Sequence, residues 1–163
     1  MSEEEKTGIY VEELPRTEAV TAGRDATFLR KINIRDGVNL VTITRDDSGA
    51  ADGGNGMKCT THKVGDGYYN ISIADEEISG KHCAIYKSGD GYFLYDGIWW
   101  LNKGKFSSKR VLAGGEEQEP FQSKPSTNGT YLNFKRLETG KAQALKSGDK
   151  VTVCRSTLEI VLP

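Results

Sequence analysis

Only a few residues in the chain have side chains suited to metal binding or nucleophilic chemistry. There are two histidines and three cysteines; four of these five form two close pairs, Cys59 with His62 and His82 with Cys83, and Cys154 stands apart. Zinc accepts both thiolate and imidazole ligands. In a strand, however, adjacent side chains point to opposite faces, so His82 and Cys83 could not easily bind one ion. We therefore expect no metal site.

Enzyme signatures are also missing from the sequence. The chain contains no G-x-S-x-G nucleophile elbow, no Walker phosphate loop, no H-E-x-x-H pair and no glycine-rich kinase loop. Acidic residues lie mainly in turns and tails, and the pair Glu116-Glu117 is typical of a solvated surface rather than of paired catalytic carboxylates. We therefore expect a non-catalytic protein without a cofactor.

Charge and cysteine content narrow the classes of partner. The formal net charge is −1, with acidic and basic residues interspersed, so no global field favours nucleic acid or an anionic membrane. No segment approaches the roughly 18 apolar residues of a membrane span. Three cysteines without framework spacing are typical of a reducing compartment. We expect a nuclear or cytoplasmic protein that contacts neither nucleic acid nor membrane directly.

Short strands separated by turn residues fill much of the chain. Apolar positions alternate on both sides of Asp36-Gly37, which predicts two strands joined by a tight turn. The segments MKCTTHKV and GYYNISIAD flank the turn Gly65-Asp66-Gly67, and HCAIYKSGDGYFLYD predicts a hairpin with a second Gly-Asp-Gly turn. KVTVC and LEIVL predict the closing strands.

Two long segments interrupt this pattern. Residues 46–56, rich in glycine and aspartate, predict a mobile loop, and residues 97–125 predict an irregular insertion whose Trp99-Trp100 pair we expect to be packed. Residues 1–24 predict a flexible tail, and residues 25–163 one domain. The expected fold is all-β, a sandwich of two antiparallel sheets with long inserted loops.

Three polar segments stand at expected strand ends, in the order VTITRD (residues 41–46), ISGKHCAIY (78–86) and STNGTYLN (126–133). They resemble, in the same order, the arginine, Ser-x-x-His and Asn-Gly motifs of the forkhead-associated (FHA) family, over residues 26–163. Each motif is short, and the shared order, the strand context and the trailing LKSGDKVTV give the resemblance its weight.

The resemblance implies a β-sandwich whose loops bind phosphothreonine in a partner protein. Arg45 would bind the phosphate dianion through a planar fork of donors that never loses its charge. Ser79 would add a hydroxyl, and Gly80, which has no Cβ, would let the backbone approach the phosphate. Lys81 would add a positive charge.

Two further pairs of residues receive roles from the same resemblance. Thr127 and Asn128 would contact the main chain of an extended ligand rather than its phosphate, since a side-chain amide both donates and accepts. His82 is expected to brace the loop by bonding to backbone, and Gly129 to occupy a turn that requires positive φ.

The sequence leaves alternatives open. Thr44 stands where the family has glycine before the arginine, and Lys63, after His62, is a rival for the role of Arg45. A scaffolding sandwich that has lost phosphate binding is the alternative function. Phosphorylation-dependent self-association through threonines of the tail, Thr7, Thr17 and Thr21, is a further hypothesis.

Overall fold

Strands account for the regular structure in the described part of the chain. The computed structural model describes residues 8–14, 28–46, 58–75, 78, 82–96, 100–102, 105–107, 110–111, 117–118, 129–138 and 141–163. No helix among these residues is long and apolar enough to cross a membrane.

The first of two large sheets joins the start of the chain to its end. In spatial order its strands are β1 (Ile9–Glu13), β2 (Phe28–Ile34), β16 (Ser156–Val161), β15 (Lys150–Val153), β12 (Thr130–Leu132) and β13 (Lys135–Arg136). β2 and β16 run parallel, with Phe28 opposite Ser156, and the other neighbours are antiparallel.

The second large sheet carries the middle of the chain. Its strands, in spatial order, are β14 (Gln143–Leu145), β7 (Gly91–Asp96), β6 (Cys83–Ser88), β3 (Leu40–Arg45), β5 (Tyr68–Ile73) and β4 (Cys59–Gly65). Here β3 and β5 are the parallel pair. The hairpins β4–β5 and β6–β7 close on the two Gly-Asp-Gly turns, as the sequence predicts.

One apolar core joins the facing sides of the two sheets. Fully buried Ile32 and Leu158 of the first sheet share a cluster with Ile43, Ile71 and Leu94 of the second. These residues alternate with outward-facing ones along each strand, as expected of a sandwich. The all-β sandwich is confirmed, although each sheet contains one parallel pair and is therefore mixed rather than purely antiparallel.

The expectation of a flexible tail over residues 1–24 is wrong for the part that the structure describes. β1 pairs along its whole length with β2, and Ile9 is only 3% exposed. Val11, on the same face, packs against the core, and the carbonyl of Gly8 accepts a hydrogen bond from the backbone N–H of Arg35 at 2.7 Å. The folded unit therefore begins before residue 25.

Two further expectations need correction. The turn at Asp36-Gly37 does not close a hairpin, because β2 lies in the first sheet and β3 in the second. The segment 97–125 contains two small two-stranded sheets, β8 (Trp100–Asn102) with β9 (Lys105–Ser107) and β10 (Arg110–Val111) with β11 (Glu117–Gln118). Trp99 and residues 47–57, most of the expected long loop, lie outside the described residues.

Candidate functional site

The strand ends that carry the three motifs meet at one end of the sandwich. Arg45 ends β3 beside Ile73, the last residue of β5. Cys83, the first residue of β6, pairs with Asp96, the last residue of β7. In the other sheet β12 begins at Thr130, whose hydroxyl donates to the Asp96 carboxylate at 2.5 Å. We call this the apical end.

Arg45 lies at the apical end next to the Ser-x-x-His segment. Its Nη1 donates to the carbonyl oxygen of Ile78 at 3.4 Å, and Ile78 immediately precedes Ser79. Ile78 is itself fully buried, and its N–H donates to the carbonyl of Asp75 at 3.0 Å. The guanidinium is thus held against a fixed part of the loop that the family motif occupies.

Lys63, the alternative to Arg45 for the phosphate-binding role, lies away from the apical end. β4 runs antiparallel to β5, so Cys59 is opposite Ile73 at the apical end and Lys63 is opposite Tyr69. Four residues of strand separate Lys63 from Cys59, about 13 Å at about 3.3 Å per residue. Of the two candidates, the strand pairing places Arg45 beside the Ser-x-x-His segment.

His82 ties the Ser-x-x-His motif to the Asn-Gly motif. Its side chain is fully buried, and its Nε2 lies 2.8 Å from the carbonyl oxygen of Gly129, 47 residues away. Because a carbonyl only accepts, Nε2 is the donor. The backbone N–H of His82 donates to the carbonyl of Ile43 in β3 at 3.1 Å. One residue therefore joins both sheets at the apical end.

The protonation state of His82 suits this bracing role. Burial lowers the pKa of His82 below its usual 6.5, and the hydrogen bond to Gly129 and the charges of Asp96 and Asp75 oppose the effect only in part. The imidazole is therefore neutral near pH 7. A buried neutral ring whose Nε2 already donates to backbone is positioned to support the loops rather than to act as a base.

Cys83 is unsuited to nucleophilic chemistry. The residue is fully buried, and burial, followed by the neighbouring Asp96 carboxylate, raises the pKa of the Cys83 thiol far above its usual range. Because only the thiolate is an effective nucleophile or metal ligand, this cysteine is inert. Among the described residues, no group of three or more His, Cys, Asp or Glu is arranged to hold a metal ion.

Asp75 is buried, although its sequence context suggests an exposed position. An acid in the run Asp75-Glu76-Glu77 is expected on the surface, but its side chain is fully buried, 3.4 Å from Nη2 of half-exposed Arg155 in the β15–β16 turn. Asp75 and Arg155 therefore connect the loop before Ser79 to the opposite sheet. Glu76 and Glu77 lie outside the described residues.

The remaining predicted site residues also lie outside the described residues. These are Ser79, Gly80, Lys81, Thr127 and Asn128. The structure does describe both ends of each segment: Ile78 and His82 flank the first, and Gly129 follows the second. Gly129 has a φ of +77°, in the left-handed region that favours glycine.

A polar ladder that sequence reasoning missed fixes the strand carrying Arg45. Nδ2 of Asn70 in β5 donates to the hydroxyls of Thr42 at 2.9 Å and Thr44 at 3.1 Å in β3, and the Ser72 hydroxyl donates to Oδ1 of Asn70 at 2.8 Å. Thr44, the residue in the family's glycine position, therefore helps to hold β3 on β5. Alternating Thr-x-Thr and Asn-x-Ser in two strands was the signal in the sequence.

Comparison with known proteins agrees with this architecture. The FHA domain model matches residues 66–154, more than half of the chain. The match includes the Ser-x-x-His and Asn-Gly motifs and begins after Arg45, whose place depends instead on the pairing of β3 with β5. No curated protein matches the chain. The chain therefore belongs to the FHA domain family, whose members are generally phosphopeptide-binding modules of protein interaction.

Proposed function

We propose that this FHA domain binds phosphothreonine-containing segments of a partner protein and catalyses no reaction on them. The observation that carries the proposal is the contact between Nη1 of Arg45 and the carbonyl of Ile78 at 3.4 Å. That contact holds a guanidinium beside the loop where the family motif supplies Ser79.

The hydrogen bond from Arg45 to the Ile78 carbonyl is one that a phosphate could replace. A hydrogen bond of 3.4 Å to a neutral carbonyl is long, and charge-assisted bonds from a guanidinium to a phosphate are shorter and about twice as strong as neutral ones. Arg45 is partly exposed at its strand end, so an incoming dianion could reach it. Its planar fork can bind two phosphate oxygens at once.

Preorganisation of the loops supports the same proposal. The bond from His82 to Gly129 joins the described residues that follow the two motif segments, and the bond from Thr130 to Asp96 joins the two sheets beside them, before any ligand arrives. A site whose flanking residues are already fixed loses less entropy on binding. The bond from Nε2 of His82 to backbone supports a bracing role for the one histidine of the motif.

The alternative, a scaffolding sandwich that has lost phosphate binding, is motivated by Thr44, which replaces the family's glycine. One binding experiment distinguishes this alternative from the proposed function. Fluorescence-labelled peptides carrying phosphothreonine, phosphoserine or threonine in an otherwise degenerate sequence are titrated with the protein. Preference for phosphothreonine over unmodified threonine supports the proposal, and release of inorganic phosphate would indicate an enzyme. Equal affinity for the phosphorylated and the unmodified peptides would identify a scaffold.

A matched pair of variants tests the residue assignment within that experiment. Arg45→Gln should weaken phosphothreonine binding about tenfold or more, because a charge-assisted hydrogen bond contributes about 1.5–3 kcal/mol. Lys63→Gln removes the same charge from an exposed position on β4 and should leave affinity unchanged. A loss in Lys63→Gln with none in Arg45→Gln would reverse the assignment.

A further inference from the structure

Arg136 of β13 lies against the glycine of the Asn-Gly motif. A Cβ placed on Gly129 would lie 2.9 Å from Nε, 3.2 Å from Cζ and 3.4 Å from Nη2 of Arg136. The guanidinium therefore occupies space that only a glycine leaves open, and it covers the backbone of Gly129, which is buried. Asn128, which the family motif assigns to the ligand main chain, is the next residue along the chain.

This guanidinium is not neutralised by the described residues around it. The side chain of Arg136 is exposed and forms no salt bridge or hydrogen bond within the part of the chain that the structure describes, whereas its backbone is paired with Tyr131 of β12. The nearby acid, Glu138, is paired with Lys141 at 2.8 Å. Arg136 is thus a positive charge next to the motif that the described residues do not neutralise.

The surface that continues from Arg136 is open and positively charged. A groove of about 560 Å³ runs between the β12–β13 hairpin and the segment that leads into β14. Its lining contains three basic side chains, Lys135, Arg136 and Lys141, against one acidic side chain, Glu138. A ligand chain that passes Gly129 would therefore enter a region that attracts anions.

The geometry points to Arg136 as a second anion-binding residue of the same site. It would contact an anionic ligand side chain, either a carboxylate or a second phosphate, that flanks the phosphothreonine on the Gly129 side. This inference rests on the proposed function, and it adds a preference for acidic ligands that the family motifs do not supply. Arg45 would bind the obligatory phosphate, and Arg136 would select among sequences that carry it.

The test compares ligands that differ by one charge. Phosphothreonine peptides with Asp or Asn at each position from four before to four after the phosphate are titrated by fluorescence polarisation at low salt. The parent protein should bind the Asp peptide about two- to fivefold more tightly at one position or two adjacent positions, the range of an exposed ion pair. Phosphoserine at that position should give a larger gain if a second phosphate is the preferred anion.

Three variants test whether the tighter binding of the Asp peptides is due to Arg136 alone. Arg136→Gln should abolish the Asp advantage while retaining Arg45-dependent binding of the Asn peptides, and Arg136→Lys should keep part of it. Lys63→Gln, which removes an equal charge from an exposed position on β4 outside this groove, should leave the advantage intact. An unchanged advantage in Arg136→Gln, or an equal loss in Lys63→Gln, would overturn the inference and leave the proposed function standing. Absence of any Arg45-dependent binding by the parent would overturn both.

Discussion

At the scale of single residues, the apical end is organised by groups that bond to backbone across the sandwich. His82 is the clearest case, since its ring is fully buried and reaches the carbonyl of Gly129 in the other sheet. Removing one partner of such a bond leaves a buried acceptor unsatisfied, which costs about 1–3 kcal/mol. The family histidine therefore has a structural explanation here that needs no proton transfer.

His82 should make stability depend on pH in a definite direction. Its folded-state pKa is below the usual 6.5, so between these two values the unfolded chain binds more protons than the native one. The contribution of the neutral ring is fully present above about pH 6.5 and is lost as the pH falls through this window.

Urea unfolding measured from pH 5 to pH 7.5 tests this prediction. The parent should lose stability on acidification over this range, and His82→Gln, already destabilised at pH 7.5, should lose less. A parallel pH dependence in both proteins would show that other groups cause it.

Gly129 should be intolerant of a side chain for two separable reasons. Its φ of +77° is strained for alanine, and the added Cβ would crowd Nε of Arg136 at 2.9 Å. Gly89 is a matched control, because its φ is +62° and a Cβ there would meet nothing within 4 Å. Gly89→Ala should cost about 1 kcal/mol from backbone strain alone. Gly129→Ala should cost a similar amount in thermal unfolding, because the exposed Arg136 side chain can move aside, but it should also weaken phosphopeptide binding, which Gly89→Ala should not. Unchanged binding in Gly129→Ala would rule out a role for this contact in the site.

At the scale of strands, two local hairpins could be predicted, whereas the distant pairings could not, and the turn at Asp36-Gly37 was wrongly expected to close a hairpin of its own. The hairpins β4–β5 and β6–β7 were predicted because a Gly-Asp-Gly turn and the strands beside it are contiguous in sequence. The sheet that β2 joins is decided by β16, since Phe28 pairs with Ser156. β1 was missed because Ile9 and Val11 are too few apolar positions to reveal a period of two.

The same distinction applies to the candidate site. The three motifs were found in the sequence, and Arg45 was preferred there over Lys63, whereas the position of Arg45 beside Ile73 became visible only in the parallel pairing of β3 with β5. The burial of Asp75 could not be foreseen, because an acid in an acidic run is normally exposed and its partner, Arg155, is 80 residues away.

Asn70 should couple the position of Arg45 to the pairing of β3 with β5. Asn70→Ala removes the donor to Thr42 and Thr44 and the acceptor of Ser72, and it should destabilise the fold by about 1–3 kcal/mol. Because Arg45 ends the same strand, phosphopeptide affinity should also fall. Ser72→Ala, which removes one bond of the same ladder, should have a smaller effect on both. Normal affinity in Asn70→Ala at a temperature where it remains folded would show that the ladder does not position Arg45.

At the scale of the whole molecule, the N-terminal segment is tied to the site end of the sandwich. β1 runs toward the apical end, where the N–H of Leu14 donates to the carbonyl of Leu29, and the chain returns there at Phe28. The described chain thus reaches the apical end at Leu14 and resumes there at Phe28, and Thr17 and Thr21 lie between these two residues in sequence, whereas Thr7 precedes β1.

Self-association should consequently depend on which threonine is phosphorylated. Phosphate at Thr17 or Thr21 is close in the chain to the site end of its own molecule and should compete with added phosphopeptide. Phosphate at Thr7 should engage a second molecule and raise the sedimentation coefficient at high concentration. Samples phosphorylated at each single threonine, with Arg45→Gln as the control, separate the two outcomes. If protein phosphorylated at Thr7 stays monomeric and keeps its affinity for added phosphopeptide, self-association through Thr7 is eliminated.

Charge around the site should also orient the ligand along the apical end. Glu76 and Glu77 precede Ser79 in sequence, whereas Arg136 of β13 lies beside Gly129, so the acidic residues adjoin one motif and the basic residue the other. A ligand with a basic residue on the Ser79 side and an acidic residue on the Gly129 side should bind more tightly than its charge-swapped counterpart of identical composition. Each exposed pair contributes about 0.2–1 kcal/mol and is screened by salt, so the difference should shrink as ionic strength rises.

Measured association rates should change more than dissociation rates, because charges at the rim of an interface act mainly by steering the ligand during its approach. Glu77→Lys should reduce the preference from one side and Arg136→Gln from the other. Equal affinity of the parent for both peptides at low salt would mean that the phosphate alone determines binding.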